Sequence, residues 1–488
     1  MRRDLLIADI FRTATRAAPG RVAAWRGDES ITFGELERRG NQVAHALASF
    51  GVGHRDRVVS WNDTTLDVLP LFVALAKLGA VFAPISPLLS PEEAEVMIEA
   101  ARPAAIAADA ERGDEAERIA ARAGVPCMRL AGFAADEDDT DVDEPLLRES
   151  DPHVVFFTSG STGRPKGAVI SNRVNVLRTY PGALLEPRGA KVAPFPLFHM
   201  GAWTMALQQW QAREPMVFAT TDPAAICEAI ERHRATRVHC LPGIWRRELE
   251  YLDTPEGARR DLSSVLIADA ATSATPLDRL TAIEGALPNA RIRVFYGSTE
   301  AGLVSWLPPD DMHRKPGSVG VPGIFTEVRV EPDGELCVSG PLLFDGYLDD
   351  PETTAAAVVD GWYHTGDVVD VDVDGYLSIV GRARDVIRTG GETVAPPEVE
   401  AVLAHCPGVA DVAVIGLPDQ QWGEVVCAVV VASPGGPVPT LDDVRSYGES
   451  RLARFKLPRR IEIVDAIPRT PATQQVQRRL LVDRFAGG

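Results

Sequence analysis

A glycine- and hydroxyl-rich segment at residues 158–167, Thr-Ser-Gly-Ser-Thr-Gly-Arg-Pro-Lys-Gly, has the composition of a phosphate-binding loop. It follows a β-branched and aromatic run at 154–157, which predicts a strand. Glycine permits positive φ angles, so several backbone N–H groups can converge on one phosphate. Glycine also follows the lysine, which excludes a Walker A loop. We predict a phosphate cradle rather than a flexible linker, and its side-chain donors are Thr158, Ser159, Ser161, Thr162 and Lys166.

Three later segments carry residues suited to binding a nucleotide. They are Tyr-Gly-Ser-Thr-Glu at 296–300, Gly-Trp-Tyr-His-Thr-Gly-Asp at 361–367 and Gly-Arg-Ala-Arg-Asp at 381–385. Together with the glycine-rich loop, and in this order, they resemble the signature motifs of the adenylate-forming superfamily. That superfamily includes acyl-CoA synthetases, nonribosomal peptide adenylation domains and beetle luciferases. The resemblance covers nearly the whole chain, and it implies a two-step enzyme that joins a carboxylic acid to AMP and then transfers the acyl group to a thiol.

The resemblance assigns nucleotide-binding roles to five residues. Tyr296 is expected to stack on the adenine, and Thr299 to help hold the phosphate. Glu300 is expected to place Mg²⁺, a hard cation that favours carboxylate and phosphate oxygens. Asp367 resembles the aspartate that accepts both ribose hydroxyls, which suits a group with two acceptor oxygens. Arg382 resembles the second ribose contact.

An acyl pocket is implied by the segment Pro-Leu-Phe-His-Met at 196–200, whose family counterpart lines this pocket. A lone histidine is usually structural, so that alternative stays open for His199. Ala-Asp-Ala at 268–270 falls where many relatives have Gly-Gly-Ala, a departure that changes the expected pocket shape. The expected pocket residues are His199, Trp203, Ala268, Asp269 and Gly297.

The largest departure from the family pattern lies at Gln475. In relatives, a lysine in a Thr-Gly-Lys-Val-like run bridges the α-phosphate and the carboxylate during the first step. Alignment backwards from residues 476–479 places that lysine on Gln475. A glutamine carries no charge, and loss of one preorganised transition-state donor costs about 10²–10³ in rate. Besides this altered position, Lys166 and His199 are the candidate catalytic residues.

No neighbouring cation matches the missing lysine. Arg469, Arg478 and Lys456 are the nearest candidates, and a guanidinium fork does not directly replace an ammonium group. Three explanations of Gln475 stay open: natural loss of the lysine, a laboratory substitution, or a slip in the alignment. Natural loss is favoured because Gln474 also stands where glycine is common.

The second half-reaction depends on another segment, Thr-Gly-Gly-Glu at 389–392. By resemblance, Gly390 and Gly391 line the tunnel for the thiol of coenzyme A, where close backbone approach favours glycine. Arg384 resembles the hinge about which a small domain rotates between the two steps. This segment is intact, so the sequence favours impaired adenylation with retained thioester formation.

The leading hypothesis is an acyl-CoA ligase specialised for thioesterification, which takes an acyl-adenylate from a separate adenylating enzyme. Such a division resembles the ligases of platensimycin-type diterpenoid antibiotic pathways, and it would imply a bulky terpenoid acid. The alternatives are a complete ATP-dependent acyl-CoA synthetase and an AMP-binding pseudoenzyme. An amino-acid adenylation domain is disfavoured because Phe198-His199-Met200 lacks the aspartate that pairs with the substrate amino group in that subgroup.

Alternating helical and strand patterns before Glu327 predict an α/β architecture with parallel-rich sheets. From 327 to 381 the chain is strand-rich, with Asp-Gly turn signals, and predicts a small β-barrel-like subdomain. Beyond Arg384 a smaller α+β unit is expected. We therefore predict a large acyl- and AMP-binding domain at 1–383 and a small mobile domain at 384–488.

Composition limits the partners. The chain has 488 residues, 45% of them apolar, and a formal net charge of −19, which disfavours nucleic acid or an anionic membrane as a partner. The six cysteines are scattered without metal-ligand spacing, which is typical of a reducing compartment. No secretory signal or membrane span is recognisable in the sequence. We expect a cytoplasmic enzyme whose small-molecule ligands are an acyl-adenylate or ATP, coenzyme A and Mg²⁺.

Overall fold

The structure is a computed structural model that describes residues 4–158, 166–185, 187–271, 275–390, 392–470 and 475–486. Internal contacts divide the chain into two compact units. The larger unit comprises Met1–Arg314, Pro322–Glu327 and Val338–Tyr363. The smaller unit comprises Lys315–Val321, Val328–Cys337 and His364–Gly488.

Several helices begin at residues that cap them. Thr32, Ser90 and Thr440 each form a capping box with an acidic residue three positions later, and so satisfy backbone N–H groups of the first turn. The helices are α1 (Ile7–Ala17), α2 (Phe33–Ser49), α3 (Val68–Leu78), α4 (Pro91–Ala101), α5 (Gly113–Ala123), α6 (Asn172–Leu185), α7 (Met200–Gln211), α8 (Pro223–His233), α9 (Pro242–Leu252), α10 (Leu277–Ala286), α11 (Pro351–Ala357), α12 (Pro396–Leu403), α13 (Leu441–Gly448) and α14 (Arg478–Phe485).

The strands alternate with these helices in the first half of the chain and predominate after residue 290. They are β1 (Val22–Arg26), β2 (Glu29–Thr32), β3 (Arg57–Trp61), β4 (Val81–Ile85), β5 (Ala105–Ala108), β6 (Cys127–Arg129), β7 (Pro152–Thr158), β8 (Lys166–Ser171), β9 (Lys191–Ala193), β10 (Met216–Phe218), β11 (Arg237–Cys240), β12 (Ile267–Ala271), β13 (Arg291–Ser298), β14 (Gly302–Leu307), β15 (Val321–Pro322), β16 (Glu327–Val330), β17 (Glu335–Ser339), β18 (Gly346–Tyr347), β19 (Val358–Val359), β20 (Trp362–Val371), β21 (Leu377–Arg382), β22 (Ile387–Thr389), β23 (Glu392–Val394), β24 (Val409–Asp419), β25 (Gly423–Ala432) and β26 (Arg460–Ile463).

The larger unit contains two parallel-rich sheets. One has the order β18-β8-β7-β4-β3-β5-β6, in which β4, β3, β5 and β6 pair in parallel. The other runs β14-β13-β12-β11-β9-β10-β1-β2, with parallel pairing from β13 through to β1. Helix α3 is apolar except for Lys77 and is buried along its whole length, as expected for a helix enclosed by other layers. The α/β class predicted from the sequence is confirmed.

Strand pairing in the smaller unit explains the turn signals between 327 and 381. Gly334 (φ +88°) and Gly375 (φ +84°) occupy the left-handed region at the β16–β17 and β20–β21 turns, where glycine costs least. Farther along the chain, β24 and β25 form a long antiparallel hairpin, and β26 pairs in parallel with β25. Helices α12 and α13 contribute Val399, Leu403 and Val444 to the core of this sheet. The predicted small α+β unit is therefore present.

Candidate active site

The proposed phosphate loop connects the two strands of a hairpin. Strands β7 and β8 are antiparallel, and Thr158 and Lys166 form their last residue pair. The Thr158 hydroxyl donates to the Lys166 carbonyl at 3.3 Å. Ser159, Ser161 and Thr162 lie outside the described residues, so their predicted phosphate contacts stay predictions. The hairpin fixes both ends of the segment at the ends of two strands that lie inside the sheet.

Glycine after the lysine of this loop has a packing reason. A Cβ atom at Gly167 would lie 2.7 Å from Val155 Cγ1 and 3.1 Å from Leu348 Cβ. The Gly167 carbonyl also accepts a hydrogen bond from the Leu348 N–H at 2.8 Å. Close packing of β8 against β7 and against the residue after β18 therefore requires glycine at 167. This packing also sets the position of the neighbouring Lys166.

Lys166 and Glu300 are brought to the same tyrosine. The Lys166 ammonium lies 5.2 Å from the centre of the Tyr347 ring, within cation–π range. The Tyr347 hydroxyl donates to Glu300 Oε1 at 3.1 Å. Burial raises the pKa of Tyr347, and the neighbouring Glu300 carboxylate adds to the effect, so the hydroxyl remains a donor. The predicted phosphate lysine and the predicted magnesium ligand thus share a partner that the sequence did not indicate.

Close backbone approach shapes the segment that carries Tyr296, Gly297, Thr299 and Glu300. Strands β13 and β14 form an antiparallel pair, and a Cβ atom at Gly297 would lie 2.1 Å from the Gly302 carbonyl oxygen. This contact with the Gly302 backbone requires glycine at 297, and a role of Gly297 in lining the acyl pocket stays a prediction. Tyr296 is buried, with 5% of its surface exposed.

Arg178, on helix α6, forms hydrogen bonds to the backbone of this segment. Its Nη1 donates to the Thr299 carbonyl at 3.0 Å and its Nη2 to the Glu300 carbonyl at 2.9 Å. Its Nε donates to the Leu342 carbonyl at 2.8 Å. Burial lowers the pKa of Arg178 to about 10, with Asp345 and Glu300 opposing that effect. The guanidinium remains charged at neutral pH and orients the backbone from which the Thr299 and Glu300 side chains project.

Arg178 was missed in the sequence because an arginine inside a helix is usually a surface residue. The one available hint is its position in α6, where Val174 and Asn175 are buried a turn earlier.

The two predicted ribose residues lie side by side in the smaller unit. Asp367 on β20 and Arg382 on β21 face each other in the strand register, and Arg382 Nε lies 2.9 Å from Asp367 Oδ1. Arg382 Nη1 also donates to the Thr365 carbonyl at 3.0 Å. Asp367 is buried and Arg382 is exposed. The arrangement offers carboxylate acceptors and guanidinium donors at one place, which suits a vicinal diol.

A half-buried set of hydrogen bonds positions the turn that carries Asp367. Gly366 has φ +69°, and its N–H donates to Glu335 Oε1 at 2.9 Å. His364 Nδ1 lies 2.9 Å from Glu335 Oε2 and 3.4 Å from the Cys337 sulfur. One carboxylate, Glu335, therefore fixes the residues on both sides of Thr365.

Gln475 lies shortly before helix α14, and its backbone pairs with Thr470. The Thr470 N–H donates to the Gln475 carbonyl at 2.8 Å, and the Gln475 N–H donates to the Thr470 hydroxyl at 3.1 Å. Arg469 and Val476 form an isolated antiparallel bridge on either side of this pair. The Gln475 side chain is exposed. The position expected for the adenylation lysine is therefore held by its backbone and presents a neutral amide to solvent.

The three cations considered as substitutes are each paired with a carboxylate of the smaller unit. Arg478 Nη2 lies 2.6 Å from Glu400 Oε1 and its Nε donates to the Val414 carbonyl. Arg469 and Lys456 are also paired, at 2.9 Å with Asp411 and 2.6 Å with Glu398 respectively. Using any of them in place of a lysine at 475 would first require breaking an ion pair.

His199 and Trp203 stand at the start of helix α7. His199 is the N-cap, and its Nδ1 accepts the Gly201 N–H at 3.1 Å. Burial lowers the pKa of His199 to about 4, so the ring is neutral near pH 7. Trp203 is buried, stacks on Phe72 with ring centres 4.0 Å apart, and donates from Nε1 to the Leu197 carbonyl at 2.6 Å. These contacts account for Trp203 as a core residue, and its role in a pocket stays a prediction.

Ala268 and Asp269 lie on the central strand β12. Both are fully buried. The Asp269 carboxylate lies 2.8 Å from Arg293 Nε, 3.4 Å from Lys191 Nζ and 3.3 Å from His239 Nδ1. The sequence predicted Asp269 as an acyl-pocket residue but did not indicate these three partners, because each lies on a different strand. The pocket role of Asp269 stays a prediction.

The hinge and thiol-tunnel residues are only partly described. Arg384 is exposed and lies 3.7 Å from the carboxylate of its neighbour Asp385. Gly390 has φ +59°, and its N–H donates to the Trp422 carbonyl at 2.8 Å. A Cβ atom at Gly390 would lie 2.7 Å from the Trp422 ring, so glycine is required there. Gly391 lies outside the described residues.

The AMP-binding enzyme family matches residues 11–348, and the AMP-binding enzyme C-terminal domain matches residues 398–473. A feruloyl-CoA synthase of an Amycolatopsis species is 34% identical over 483 residues, which cover 93% of this chain and 94% of that protein. A methyl-dioxo-octahydroindenyl-propanoyl:CoA ligase of Mycobacterium tuberculosis is also 34% identical, over 94% of both chains. The ATP-bound structure of MatB from Rhodopseudomonas palustris aligns with a TM-score of 0.87 at 27% identity, over 98% of this chain and 99% of that one.

Proposed function

This chain belongs to the AMP-binding enzyme family, whose matched relatives are acyl-CoA ligases of the adenylate-forming superfamily, and from that premise we propose that it is an acyl-CoA ligase specialised for the thioester-forming step. The observation that carries the proposal is the exposed, neutral Gln475, together with the ion pairs that engage the three candidate substitutes Lys456, Arg469 and Arg478. In this proposal the enzyme receives an acyl-adenylate and returns an acyl-CoA thioester and AMP.

Adenylation is the step most affected by Gln475. A substrate carboxylate must attack the α-phosphorus of ATP, so an anion approaches a polyanion, and preorganised positive charge lowers that barrier. An amide at residue 475 can donate a hydrogen bond but cannot offset the approaching charges. Loss of such a donor alone is worth about 10²–10³ in rate, and loss of a full charge adds to this.

Thioester formation places smaller demands on this position. The coenzyme A sulfur attacks the carbonyl carbon of the acyl-adenylate, a C–S bond forms, and the bond from that carbon to the phosphate oxygen breaks. The thiol proton passes to solvent base and AMP leaves with the electron pair. The AMP phosphate is a good leaving group without a lysine, so the step does not depend on residue 475.

The nucleotide-binding candidates fit the proposed ligands in their chemistry. Asp367 and Arg382 would hold the ribose, and Tyr296 would lie against the adenine. Glu300 would hold Mg²⁺ through its carboxylate, as hard cations prefer oxygen ligands, and the cation would neutralise phosphate charge when bound. Among the described residues, only Tyr347 donates a hydrogen bond to the Glu300 carboxylate.

The proposal also covers the source of the adenylate, the acid, the domain boundary and the cellular location. The adenylate would come from a separate adenylating enzyme, and the acid would be a bulky terpenoid of an antibiotic pathway. The working boundary between an acyl- and AMP-binding domain (1–383) and a mobile domain (384–488) lies at the exposed hinge candidate Arg384. No helix in the described ranges is long and apolar enough to cross a membrane, and we propose a cytoplasmic location.

One observation favours a second candidate, a complete ATP-dependent acyl-CoA synthetase. Within the part of the chain that the structure describes, no carboxylate pairs with the Lys166 ammonium, which rests near the Tyr347 ring. That cation is available to assist the α-phosphate in adenylation and could carry part of the role of the missing lysine.

A single assay separates these functions. Purified protein is supplied with coenzyme A and either ATP plus a panel of acids or the matching preformed acyl-adenylates, and acyl-CoA is followed by chromatography. Rapid product from adenylates with little from ATP and acid supports the proposal. Comparable rates from both mixtures would show a complete synthetase, and no product from any adenylate would indicate an AMP-binding pseudoenzyme.

A further inference from the structure

A glutamate, a cysteine and a histidine meet on one face of a small sheet in the smaller unit. Glu335 and Cys337 are two residues apart on β17, so their side chains lie on the same face of the strand. His364 lies on β20, which is the neighbour of β17 in this sheet. A carboxylate oxygen, the sulfur and an imidazole nitrogen from these three residues all lie within 4.8 Å of one another. The three atoms therefore converge on one place.

The distances in this cluster are close to those around a bound zinc ion. His364 Nδ1 lies 3.4 Å from the Cys337 sulfur and 2.9 Å from Glu335 Oε2. Zn²⁺ binds sulfur at about 2.3 Å and nitrogen or oxygen at about 2.0–2.2 Å, so tetrahedral ligands lie about 3.3–3.6 Å apart. The nitrogen–sulfur distance already matches, and the nitrogen–oxygen distance must lengthen by about 0.4 Å. The Glu335 and His364 side chains keep 20% and 29% of their surface exposed, which gives them room for this shift.

The charge around the sulfur favours a cation. Glu331 Oε1 lies 3.8 Å from the Cys337 sulfur, and Arg329 Nη2 lies 2.5 Å from the same oxygen. The carboxylates of Glu331 and Glu335 with this one guanidinium leave a negative charge uncompensated, which attracts a divalent cation. A free cysteine ordinarily packs as a small hydrophobe, whereas this sulfur faces an imidazole and two carboxylates. A structural Glu335–His364 pair would not need that sulfur.

Metal binding requires the thiolate form of Cys337. Burial raises the pKa of Cys337 to about 11, and the Glu335 and Glu331 carboxylates add to the effect, so the free cysteine keeps its proton. When Zn²⁺ binds, a zinc–sulfur bond forms, the S–H bond breaks and the proton passes to solvent. His364 Nδ1 gives its lone pair to the metal, and the ring proton is then on Nε2. No group is oxidised or reduced.

We propose that Glu335, Cys337 and His364 form a zinc site, with a water molecule as the fourth ligand. A thiolate and an imidazole favour Zn²⁺ over Mg²⁺ and Ca²⁺, which prefer oxygen ligands. The other oxygen of Glu335, Oε1, accepts the Gly366 N–H at 2.9 Å. A metal that fixes Glu335 therefore also fixes the turn that carries Asp367.

The test uses Co²⁺ as a spectroscopic probe of the zinc site. Full-length protein without a histidine tag is treated with a chelator, dialysed and titrated with Co²⁺ alone. A tetrahedral cobalt–thiolate site gives a sulfur-to-metal charge-transfer band in the near ultraviolet and intense visible bands. We expect these bands to saturate at one Co²⁺ per chain and to disappear when one equivalent of Zn²⁺ is added. Excess Mg²⁺ should leave them unchanged, because the ligands are nitrogen and sulfur.

Two variants locate the metal, and a third serves as the control. Cys337→Ser should abolish the charge-transfer band, because no sulfur remains in the site. His364→Asn should weaken the affinity for Zn²⁺, measured by competition with a chromophoric chelator, by at least about 10–100-fold, the loss typical of residues that only support a ligand. Its side chain is half-exposed, so this variant keeps the core intact. Cys127→Ser changes a half-buried cysteine of the larger unit and should retain the band and the affinity.

Thermal unfolding gives a readout that does not depend on the spectrum. A metal that binds the folded chain stabilises it, so Zn²⁺ should raise the unfolding temperature of the unchanged protein and of Cys127→Ser but not of His364→Asn. Unfolding curves recorded with chelator present show whether each variant folds.

Several outcomes would overturn the zinc site. They are the absence of a charge-transfer band in the unchanged protein, its persistence in Cys337→Ser, its loss in Cys127→Ser, and an unchanged Zn²⁺ affinity in His364→Asn. An equal rise in unfolding temperature for His364→Asn and the unchanged protein would also contradict it. None of these measurements uses ATP, an acid or coenzyme A, so their result is independent of the proposed function.

Discussion

Thr470 and Gln475 are joined by two hydrogen bonds: the Thr470 N–H donates to the Gln475 carbonyl at 2.8 Å, and the Gln475 N–H donates to the Thr470 hydroxyl at 3.1 Å. This pairing sets the backbone without using the Gln475 side chain. The side chain at 475 can therefore be replaced with little effect on the fold. The consequence of lacking a cation at this position can be tested by substitution.

Gln475→Lys should restore adenylation. The side chain is exposed, so the substitution should change the free energy of unfolding by less than about 0.5 kcal/mol. Pyrophosphate release from ATP and acid should rise by about 10²-fold or more, because a cation is returned to the transition state. Gln475→Met is the control of similar size without charge, and it should leave release unchanged. An unchanged rate in the lysine variant would place the defect elsewhere.

Tyr347→Phe should weaken binding of magnesium-ATP by about 2–10-fold, the usual worth of one hydrogen bond. The variant keeps the ring beside Lys166 but removes the hydroxyl that donates to Glu300. Glu300→Gln should have the larger effect because it also removes the charge. Calorimetric titration with magnesium-ATP measures both. As a control, Tyr251→Phe removes a hydroxyl on helix α9 and should not alter the affinity.

Asp367→Asn should reduce affinity for AMP by about 10–100-fold, since charge-assisted hydrogen bonds are the stronger class. Asp370→Asn changes an exposed carboxylate on the same strand and provides the comparison. Titration with AMP and with adenine alone distinguishes the contact, because only AMP contains the ribose. Equal losses for both ligands would argue against a ribose role for Asp367.

Arg178→Met should destabilise the larger unit by at least about 2 kcal/mol, because three backbone carbonyls lose their donor in a half-buried place. Arg173→Ala on the same helix removes a half-exposed pair with Glu149 and should cost less than about 1 kcal/mol. Urea denaturation midpoints measure both. Similar midpoints for the two variants would contradict the supporting role of Arg178.

His153 should make stability fall in acid. Burial lowers the pKa of His153 to about 3 from an ordinary value of 6.5, so between these values the unfolded chain binds a proton that the folded chain does not. Stability is therefore fully present above pH 6.5 and is lost as pH falls towards 3, by about 2–3 kcal/mol at pH 4.5.

His153→Phe removes the titrating group while keeping an aromatic ring against Phe72. Urea midpoints of this variant between pH 7 and pH 4.5 should fall less steeply than those of the unchanged protein. His313→Asn, at an exposed histidine, should keep the original slope. Parallel slopes for all three proteins would contradict the assignment.

Local sequence was sufficient wherever neighbouring residues act together. The strand at 154–157 and the Asp-Gly turn at 374–375 were predicted from local patterns, and the structure adds that each belongs to an antiparallel pair, β7 with β8 and β20 with β21. In both cases the chain returns on itself within about twenty residues, so the register is set by the turn.

The sequence by itself therefore determined the α/β class, the order of the nucleotide motifs and the neutral residue at 475. Only the tertiary structure decided what surrounds them: Arg178 beneath Thr299 and Glu300, Tyr347 beside Lys166, and His239 against Asp269. These partners lie on different helices and strands, 30 to 180 residues apart: β11 and β12 pair in parallel, β8 and β18 are antiparallel, and Arg178 reaches its partners from a helix. Their contacts depend on packing of the whole unit. Side-chain protonation and hydrogen-bonding sense depend in turn on that burial, which no local pattern contains.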